Sequence, residues 1–319
     1  MKILMITEND PAGMGIAFTK AINAYTPHSC RLITTQIRYN FEFEKDLHLP
    51  DLDAQGLDEV RDLLRRADVI QFHMGADENL ELGPIQIKDY IKGKMLVHHH
   101  HGHPHFRAHP DVYRKKYRHL KRKSIVSTPD LLKLLPDAIW LPNIIPIYDS
   151  FYMPHPVSEN GYVRVGQSAT RKDLKNTAEL IEVVQELQQD PAPPELKLDV
   201  IENTEHTECL RQKNLCHIIF DHMQGYYGVS SLESLSQGKP VIAGLDNWNI
   251  KQIKKFTGTD RLPWIVTRTK AELKVALDML RHDPDLRNQL GAYSRKFMEE
   301  HWSEQRILER LLDFYESLV

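Results

Sequence analysis

The sequence has few cysteines and no long apolar run. Its 319 residues include three cysteines, Cys30, Cys209 and Cys216, none of them in a closely spaced pair. An odd, scattered set argues against a disulfide framework and favours a reducing compartment. No stretch reaches the ~18 apolar residues that a membrane-spanning helix needs. The apolar stretch at the N-terminus is too short for a signal peptide and reads as a first buried strand, so we expect a cytoplasmic protein.

The chain also lacks a strong charge of either sign. Its 41 lysines and arginines nearly balance 44 aspartates and glutamates, which gives a formal net charge of −3. This balance argues against a general binder of polyanions. The fractions of hydrophobic residues, 41%, and charged residues, 27%, are those of a folded soluble protein. Because one domain usually spans ~100–200 residues, the length predicts two domains.

Short β-rich runs alternate with amphipathic stretches along most of the chain, which predicts parallel sheets covered by helices on both faces. Residues 142–160 contain four prolines and little periodicity, as an interdomain linker should. We therefore predict a first domain over residues 1–148, a second over 149–300, and a C-terminal helix over 301–319. The apolar stripe of that helix predicts that it packs on the first domain. Two such domains would bind ligands at the carboxyl ends of their strands.

The segment 221–244 reads as a strand end, a glycine turn, a helix, a glycine stop and a further strand. Gly225 and Gly228 let the backbone approach a ligand closely. Ser230 and Ser231 stand where the helix begins, and the free N–H groups and dipole of a helix start favour a phosphate. Glu233, one turn later, can accept hydrogen bonds from ribose hydroxyls. Taken alone, the same pattern also fits a capped helix with a solvated glutamate.

A second segment, 165–177, opens the same half of the chain. A strand ends in small residues, and two cations, Arg171 and Lys175, precede a helix. This arrangement suits a diphosphate, whose negative charge must be stabilised when a sugar departs. A solvated cationic helix start would look the same, and by itself it is the commoner occurrence.

Together these segments resemble the retaining GT-B glycosyltransferases of family 4 (group 1). The residues that match the C-terminal motif of the family are Gly228, Glu233, Gly238, Pro240 and Val241. The resemblance implies two Rossmann-like, doubly wound parallel-sheet domains facing a central cleft, with a nucleotide-sugar bound between them. It implies that Glu233 binds the ribose and that Arg171 and Lys175 hold the diphosphate, with Asn176 in place of the usual glycine. The predicted donor-binding residues are Gly13, Gly15, Gly225, Tyr227, Gly228, Val229, Ser230, Ser231 and Glu233.

One position departs from the family. The first glutamate of the motif, which in the family contacts the transferred sugar, falls at Gly225. Its role could pass to Asp221 or Gln224, or the donor sugar could be unusual. The same departure keeps open a degenerate GT-B domain that serves as a nucleotide-sugar-binding or scaffold module.

A histidine-rich run occupies residues 97–107 within the chain. Zinc binding is one interpretation, but successive strand side chains point to opposite faces and cannot all ligate one ion, so we predict no metal site. The family has a His-Gly pair at the end of this strand, which matches His101-Gly102 and implies a catalytic His101 near the transferred sugar. His100 is the alternative if the register differs by one, and His73 ends a neighbouring strand. The others, His98, His99, His103 and His105, are expected at the surface or at helix caps.

Residues 114–123 carry seven cations in ten positions, an excess against an acidic background. Such a run is usually a solvated helix face. It could also contact anionic lipid headgroups at the inner membrane surface or an anionic acceptor. A nucleic-acid acceptor is less favoured because no aromatic stacking platform accompanies the run. The residues of this predicted surface are Arg114, Lys115, Lys116, Arg118, Lys121 and Arg122.

The resemblance as a whole predicts metal-independent transfer of a sugar, with retention of configuration, from a UDP- or GDP-sugar to a glycan or lipid-linked acceptor. No further cofactor is expected. An epimerase or phosphorylase on the same architecture, a nucleic-acid-modifying glycosyltransferase and the degenerate scaffold are the alternatives.

Overall fold

The computed structural model describes residues 1–38, 44–158, 161–190 and 193–318. Its strands are β1 (Lys2–Thr7), β2 (Ser29–Thr34), β3 (Leu47–His48), β4 (Val69–His73), β5 (Glu81–Leu82), β6 (Ile85–Gln86), β7 (Met95–His100), β8 (Lys123–Val126), β9 (Ile139–Trp140), β10 (Tyr162–Ser168), β11 (Glu195–Ile201), β12 (Ile218–Phe220), β13 (Val241–Ala243) and β14 (Trp264–Val266). Its α-helices are α1 (Met14–Tyr25), α2 (Ala54–Arg66), α3 (Pro104–Ala108), α4 (Pro110–Leu120), α5 (Thr177–Gln188), α6 (His206–Asn214), α7 (Val229–Ser236), α8 (Asn247–Thr257), α9 (Lys270–His282), α10 (Pro284–His301) and α11 (Glu304–Glu316).

The chain divides into two compact units. The first unit comprises Met1–Ile144 and Glu304–Val319, and the second comprises Ile145–Ser303. The change of unit falls inside the stretch 142–160 that the sequence predicts as a linker, of which residues 159 and 160 lie outside the described residues. No helix in the described part of the chain is long and apolar enough to cross a membrane.

The first unit is built on a parallel sheet with strand order β3-β2-β1-β4-β7-β8-β9. Strands β4 and β7 are neighbours, with His73 paired in register with His99. Helix α11 packs against α1 in this unit. Its Tyr315 is fully buried and donates its hydroxyl to Gln71 Oε1 of β4 at 2.7 Å. The apolar stripe of α11 therefore lies in the core, and one polar side chain reaches the sheet.

The second unit has a five-stranded parallel sheet with strand order β11-β10-β12-β13-β14. Its core includes α5 and α9, which pack on the sheet through residues such as Leu180 and Leu277. Strands β10 and β12 pair directly, with Val165 opposite Ile218. Because the strands are parallel, the loops that follow β10 and β12 emerge side by side at one edge.

One helix start differs from the amphipathic pattern. The spacing of apolar residues over 174–187 predicts a helix from Leu174, but Lys172–Leu174 forms a 3₁₀ turn and α5 begins at Thr177. The reason is Asn176, whose φ of +53° places it in the left-handed region. Glycine and asparagine are the residues that adopt this region most readily, so the residue type at position 176 agrees with its backbone conformation.

Candidate functional site

The residues that follow β10 and β12 are organised by one buried carboxylate. Asp221, directly after β12, is 1% exposed. Its carboxylate accepts hydrogen bonds from Lys175 Nζ at 2.7 Å, from the Gly228 amide at 2.6 Å and from Ser231 Oγ at 2.7 Å. Burial raises the pKa of this carboxyl, but the charges of His222 and Lys175, together with the Gly228 amide, outweigh it and hold the pKa below its usual range. Asp221 is thus an ionised anchor for the start of α7.

The same anchor accounts for Gly228. A Cβ at this position would lie 2.9 Å from Lys175 Nζ and 3.1 Å from Asp221 Oδ1. Any larger residue would displace the lysine that Asp221 holds. A glycine here therefore allows the ammonium group to approach the first amides of α7, which have no acceptor within the helix itself.

Two further contacts tie β10 to this edge. Ser168, the last residue of β10, lies 2.8 Å from Ser230 through their hydroxyl oxygens. Gln167 is fully buried and donates its amide to the Lys175 carbonyl at 2.7 Å and to the Asp221 carbonyl at 3.1 Å. The carboxyl ends of β10 and β12 therefore bring together three of the predicted site residues: Lys175, Ser230 and Ser231.

Glu233 lies one turn into α7 and is 6% exposed. Its Oε1 faces His206 Nε2 at 2.7 Å, and its Oε2 accepts from the fully buried Lys213 ammonium. Burial raises the pKa of this carboxyl, but the charges of Lys213 and His206 lower it to about 2. Glu233 is therefore a buried, ionised residue, and not the solvated glutamate of a simple capped helix.

Gly225 has a φ of +92°, in the left-handed half of backbone space. Its carbonyl accepts from the Asp246 amide at 2.8 Å and from Asn249 Nδ2 at 2.9 Å. These bonds fix the turn in a conformation that a glutamate would adopt only with strain. Glycine therefore suits the backbone at position 225 better than the glutamate that the resemblance implies there.

Asp221 and Gln224, the two residues that could replace the glutamate expected at position 225, differ in how freely their side chains could contact a ligand. Asp221 is 1% exposed, and three donors already occupy most of the acceptor positions of its carboxylate. Gln224 is exposed, and its side-chain amide donates to Asn176 Oδ1 at 3.2 Å. The structure thus favours Gln224 over Asp221 as the residue able to contact a ligand.

The other site residues predicted in the second unit do not contact the Asp221 carboxylate. Arg171 is about half exposed and forms a bidentate pair with Asp173 at 2.9 and 2.6 Å. Tyr227 is fully buried, and its ring stacks on Trp264 at 5.2 Å between centroids, so its side chain belongs to the core. Val229 is the first residue of α7 and is half-buried.

Gly13 and Gly15 lie at the start of α1 in the first unit. Gly13 has a φ of +65°, and a Cβ on Gly15 would lie 3.0 Å from Leu32 Cδ1. The Asp10 carboxylate accepts the amides of Gly15 and Ile16, each at 3.0 Å. Asp10 therefore caps this helix, and the amides that a phosphate would use are already donated to it.

The carboxyl ends of β4 and β7 carry a cluster of imidazoles, which we call the histidine trio: His73, His99 and His101. His73 Nδ1 lies 2.9 Å from His101 Nε2. Ser127 Oγ lies 3.1 Å from His99 Nε2 and 2.5 Å from His101 Nδ1. Gln71 Nε2 faces His73 Nε2 at 3.0 Å and His99 Nδ1 at 3.4 Å. The five side chains form a closed ring of polar contacts.

One set of tautomers satisfies these contacts. Because Gln71 Oε1 accepts from Tyr315, its Nε2 donates to His73, which then carries its proton on Nδ1. His73 donates to His101 Nε2, and His101 in turn donates from Nδ1 to Ser127. The rings are neutral, because burial lowers the pKa of His101 to about 4 and that of His73 well below its usual value. Both ring nitrogens of the predicted catalytic His101 are engaged within this network.

The expectation that His98 and His99 lie at the surface is wrong. Both are buried, because each face of a parallel sheet is covered and alternate side chains enter one core or the other. His98 packs on Tyr117 with centroids 4.5 Å apart, on the face opposite the trio. His100, the register alternative to His101, lies on that same opposite face, with Nε2 2.6 Å from the Tyr117 hydroxyl. His103 caps α3 by accepting the Phe106 amide, as the sequence predicts.

These buried rings make stability depend on pH. A histidine whose folded pKa lies below its ordinary 6.5 opposes folding once the unfolded chain becomes protonated, so stability falls as pH drops below 6.5. For His101 the window runs from 6.5 to about 4. We expect His101→Gln to reduce the slope of unfolding free energy against pH by up to about 1.4 kcal/mol per pH unit there. Urea unfolding at pH 8, 6 and 5 measures this, and an unchanged slope would refute it.

The cationic run at 114–123 is partly neutralised by nearby acids. Lys116 pairs with Asp77, Arg122 contacts Glu78 at 3.1 Å, and the exposed Arg118 contacts Asp137 at 3.5 Å. Arg114 pairs with Asp111 one turn earlier in α4. Among the described residues, Lys115, Lys121 and Lys123 are exposed and form no such pair. Four of the six residues of the predicted anionic-acceptor surface therefore form ion pairs within the first unit.

Sequence reasoning missed three residues that shape the edge around Asp221 and Glu233. Gln167 looks like a strand residue, while Lys213 and His206 lie on α6, whose polar composition suggests a solvated helix. Their contacts arise because α6 packs next to α7 and β10. No local pattern identifies them, since each partner is at least eight residues away along the chain.

No family model and no curated protein matches the chain. Solved structures do share its fold. HepE from Anabaena in complex with UDP-glucose matches with a TM-score of 0.67 and 14% identity, over 99% of this chain and 100% of its own. An α-glucosyltransferase in complex with UDP and a 13-mer DNA containing a central A:G mismatch gives 0.66 and 11%, over 98% and 99%.

Sucrose-phosphate synthase from Thermosynechococcus elongatus matches with a TM-score of 0.64 and 12% identity, over 100% of this chain and 99% of its own. At these identities the likeness establishes the fold. With its two parallel α/β sheets, the chain has the GT-B fold of glycosyltransferases.

Proposed function

We propose that this protein is a retaining glycosyltransferase that moves a sugar from a nucleoside-diphosphate sugar to an acceptor in the cytoplasm, without a metal or cofactor. The observation that carries the proposal is the edge formed by Asp221, Lys175, Gly228 and the start of α7. There an ammonium group, a helix start and small residues meet where a diphosphate could lie. UDP is the first choice of nucleotide, because matching structures contain UDP or UDP-glucose.

Each side chain has a proposed task. Lys175 and the first amides of α7 stabilise the departing diphosphate, and Arg171 joins them by exchanging Asp173 for a phosphate. Glu233 accepts hydrogen bonds from the ribose. An ionised carboxylate offers about four acceptor positions, so those not used by Lys213 and His206 remain for two hydroxyls. His101 keeps the role at the transferred sugar that the resemblance implies.

A second candidate is a degenerate domain that binds a nucleotide-sugar and does not turn it over. Gly225 favours it, because the residue type that contacts the sugar in the family is absent and the turn has a φ of +92°. An epimerase on the same fold is the third candidate. These three differ in what they do to a donor in the absence of an acceptor.

Proton NMR of the protein incubated with UDP-, GDP- and ADP-sugars separates the candidates. A retaining transferase slowly releases the nucleotide and a sugar whose first anomer matches that of the donor, with water as acceptor. An epimerase yields a changed donor sugar, and the degenerate domain yields no product.

Arg171→Ala and Lys172→Ala form a matched pair of variants for this experiment. The two neighbouring cations are similarly exposed and pair with Asp173 and Glu202 respectively. We expect Arg171→Ala to lower turnover by about tenfold, equivalent to about 1.4 kcal/mol, and Lys172→Ala to leave it near wild type. Equal turnover in the two variants would contradict the assignment of Arg171 to the diphosphate.

A further inference from the structure

The histidine trio combines three metal-binding side chains at one strand edge. His99 lies on β7 and His101 directly follows that strand, so the two side chains point to the same face of the sheet. His73, at the end of the adjacent β4, lies beside them. One nitrogen from each ring lies within 4.8 Å of the others. Alternation along β7 excludes His98 and His100 from this set, since both pack against Tyr117 on the other face.

We propose that His73, His99 and His101 form a binding site for a divalent transition-metal ion of the Zn²⁺ class in the first unit. The site shares no residue with the proposed nucleotide-binding edge of the second unit, but an ion there would occupy His101, the residue proposed to lie near the transferred sugar. Three neutral imidazoles with one open position are a ligand set that zinc commonly takes in proteins. Two ligand nitrogens on a tetrahedral zinc lie about 3.3 Å apart. The 2.9 Å between His73 Nδ1 and His101 Nε2 needs only a small side-chain shift to reach that value.

The surrounding polar groups can orient the rings for an ion. If the Gln71 side-chain amide turns over, its Oε1 faces His73 Nε2 and His99 Nδ1 and accepts a hydrogen bond from the N–H group of each ring. His73 Nδ1 and His99 Nε2 then become lone-pair donors. His101 already donates from Nδ1 to Ser127, which leaves its Nε2 as the third ligand.

Tyr315 adapts to either orientation of Gln71. Its hydroxyl donates to Oε1 in the hydrogen-bonded state and accepts from Nε2 after the amide turns. An amide, a hydroxyl and a phenol therefore provide the outer hydrogen bonds that metal-ligating histidines require. The ion takes the place of the proton shared by His73 and His101, and no residue has to change its ionisation.

The test uses untagged full-length protein, treated with a chelator, dialysed and titrated with Co²⁺. We expect one equivalent to bind, with the visible absorption bands of a four- or five-coordinate nitrogen site, and Zn²⁺ to displace it. Zn²⁺ should also raise the midpoint of thermal unfolding. If the wild-type protein shows no saturable binding at one equivalent, the proposal is overturned.

Two glutamine variants locate the site. His99→Gln should abolish the cobalt spectrum, whereas His105→Gln, at an exposed histidine five residues past β7, should retain it. A spectrum unchanged in His99→Gln, or lost in His105→Gln, would assign the ion to surface histidines instead. Gln71→Ala, which keeps all three ligands, should weaken binding roughly 10- to 100-fold. These measurements need no nucleotide-sugar, so their outcome is independent of whether the proposed transferase activity is correct.

Discussion

Replacing Asp221 by asparagine should destabilise the second unit and remove donor binding together. The substitution keeps the shape but removes the charge that the Lys175 ammonium faces, and it turns an amide group toward the Gly228 or Ser231 donor. Breaking one partner of a largely buried ion pair costs about 3 kcal/mol. We expect a loss of this size in the free energy of unfolding, measured by urea denaturation, and a donor affinity lowered at least about tenfold.

Asp173→Asn is the matched control for stability, because Asp173 pairs with the exposed Arg171 at the surface of the same unit. Solvent screens that pair, so its removal should leave the unfolding midpoint unchanged. If Asp221→Asn were as stable as Asp173→Asn, Asp221 would not be the anchor described above.

Lys213→Met should produce the second large effect. The lysine is fully buried and is an ion-pair partner of Glu233, so the variant leaves a buried carboxylate with only His206 beside it. The expected loss of stability at neutral pH is roughly 3–5 kcal/mol. Without the lysine, burial should raise the pKa of Glu233 above its present value of about 2. The difference from wild type should therefore narrow as pH falls toward the ordinary glutamate value of 4.5.

A double variant separates folding from function at this pair. Lys213→Met combined with Glu233→Gln has no unpaired buried charge, so most of the lost stability should return. Donor binding should not return, because the ribose would still face an amide in place of an ionised carboxylate. Restored stability with restored donor affinity would show that Glu233 serves the fold alone.

The sequence was sufficient to predict the architecture because both units use a regular alternation of strand and helix. The segment 301–319, predicted as a C-terminal helix, contains α11, which begins at Glu304. Strand β3 was missed, since two residues carry no periodicity. The start of α5 was placed three residues early because the left-handed Asn176 interrupts a continuous apolar pattern.

The candidate site was predictable only where a motif is local. The turn from Gly225 to Glu233 is contiguous, so its glycines and helix start could be predicted from the residues themselves. The partners of its acidic groups, Lys175, Lys213 and His206, are between 20 and 46 residues distant from Asp221 or Glu233 along the chain. Those pairings depend on which strands and helices become neighbours. The histidine trio likewise depends on such a pairing, because it forms only when β4 and β7 become neighbours in the sheet.

Glu233 and its surroundings are proposed to bind the nucleotide of a sugar donor. Isothermal titration of UDP, GDP and ADP into wild-type protein and into Glu233→Gln tests it most directly, because glutamine keeps the size of the side chain and removes its charge. We expect saturable binding of one nucleotide, UDP first, with affinity lowered at least about tenfold in Glu233→Gln while that variant remains folded. Binding of none of the three to the folded wild-type protein, or equal binding to both proteins, would contradict it.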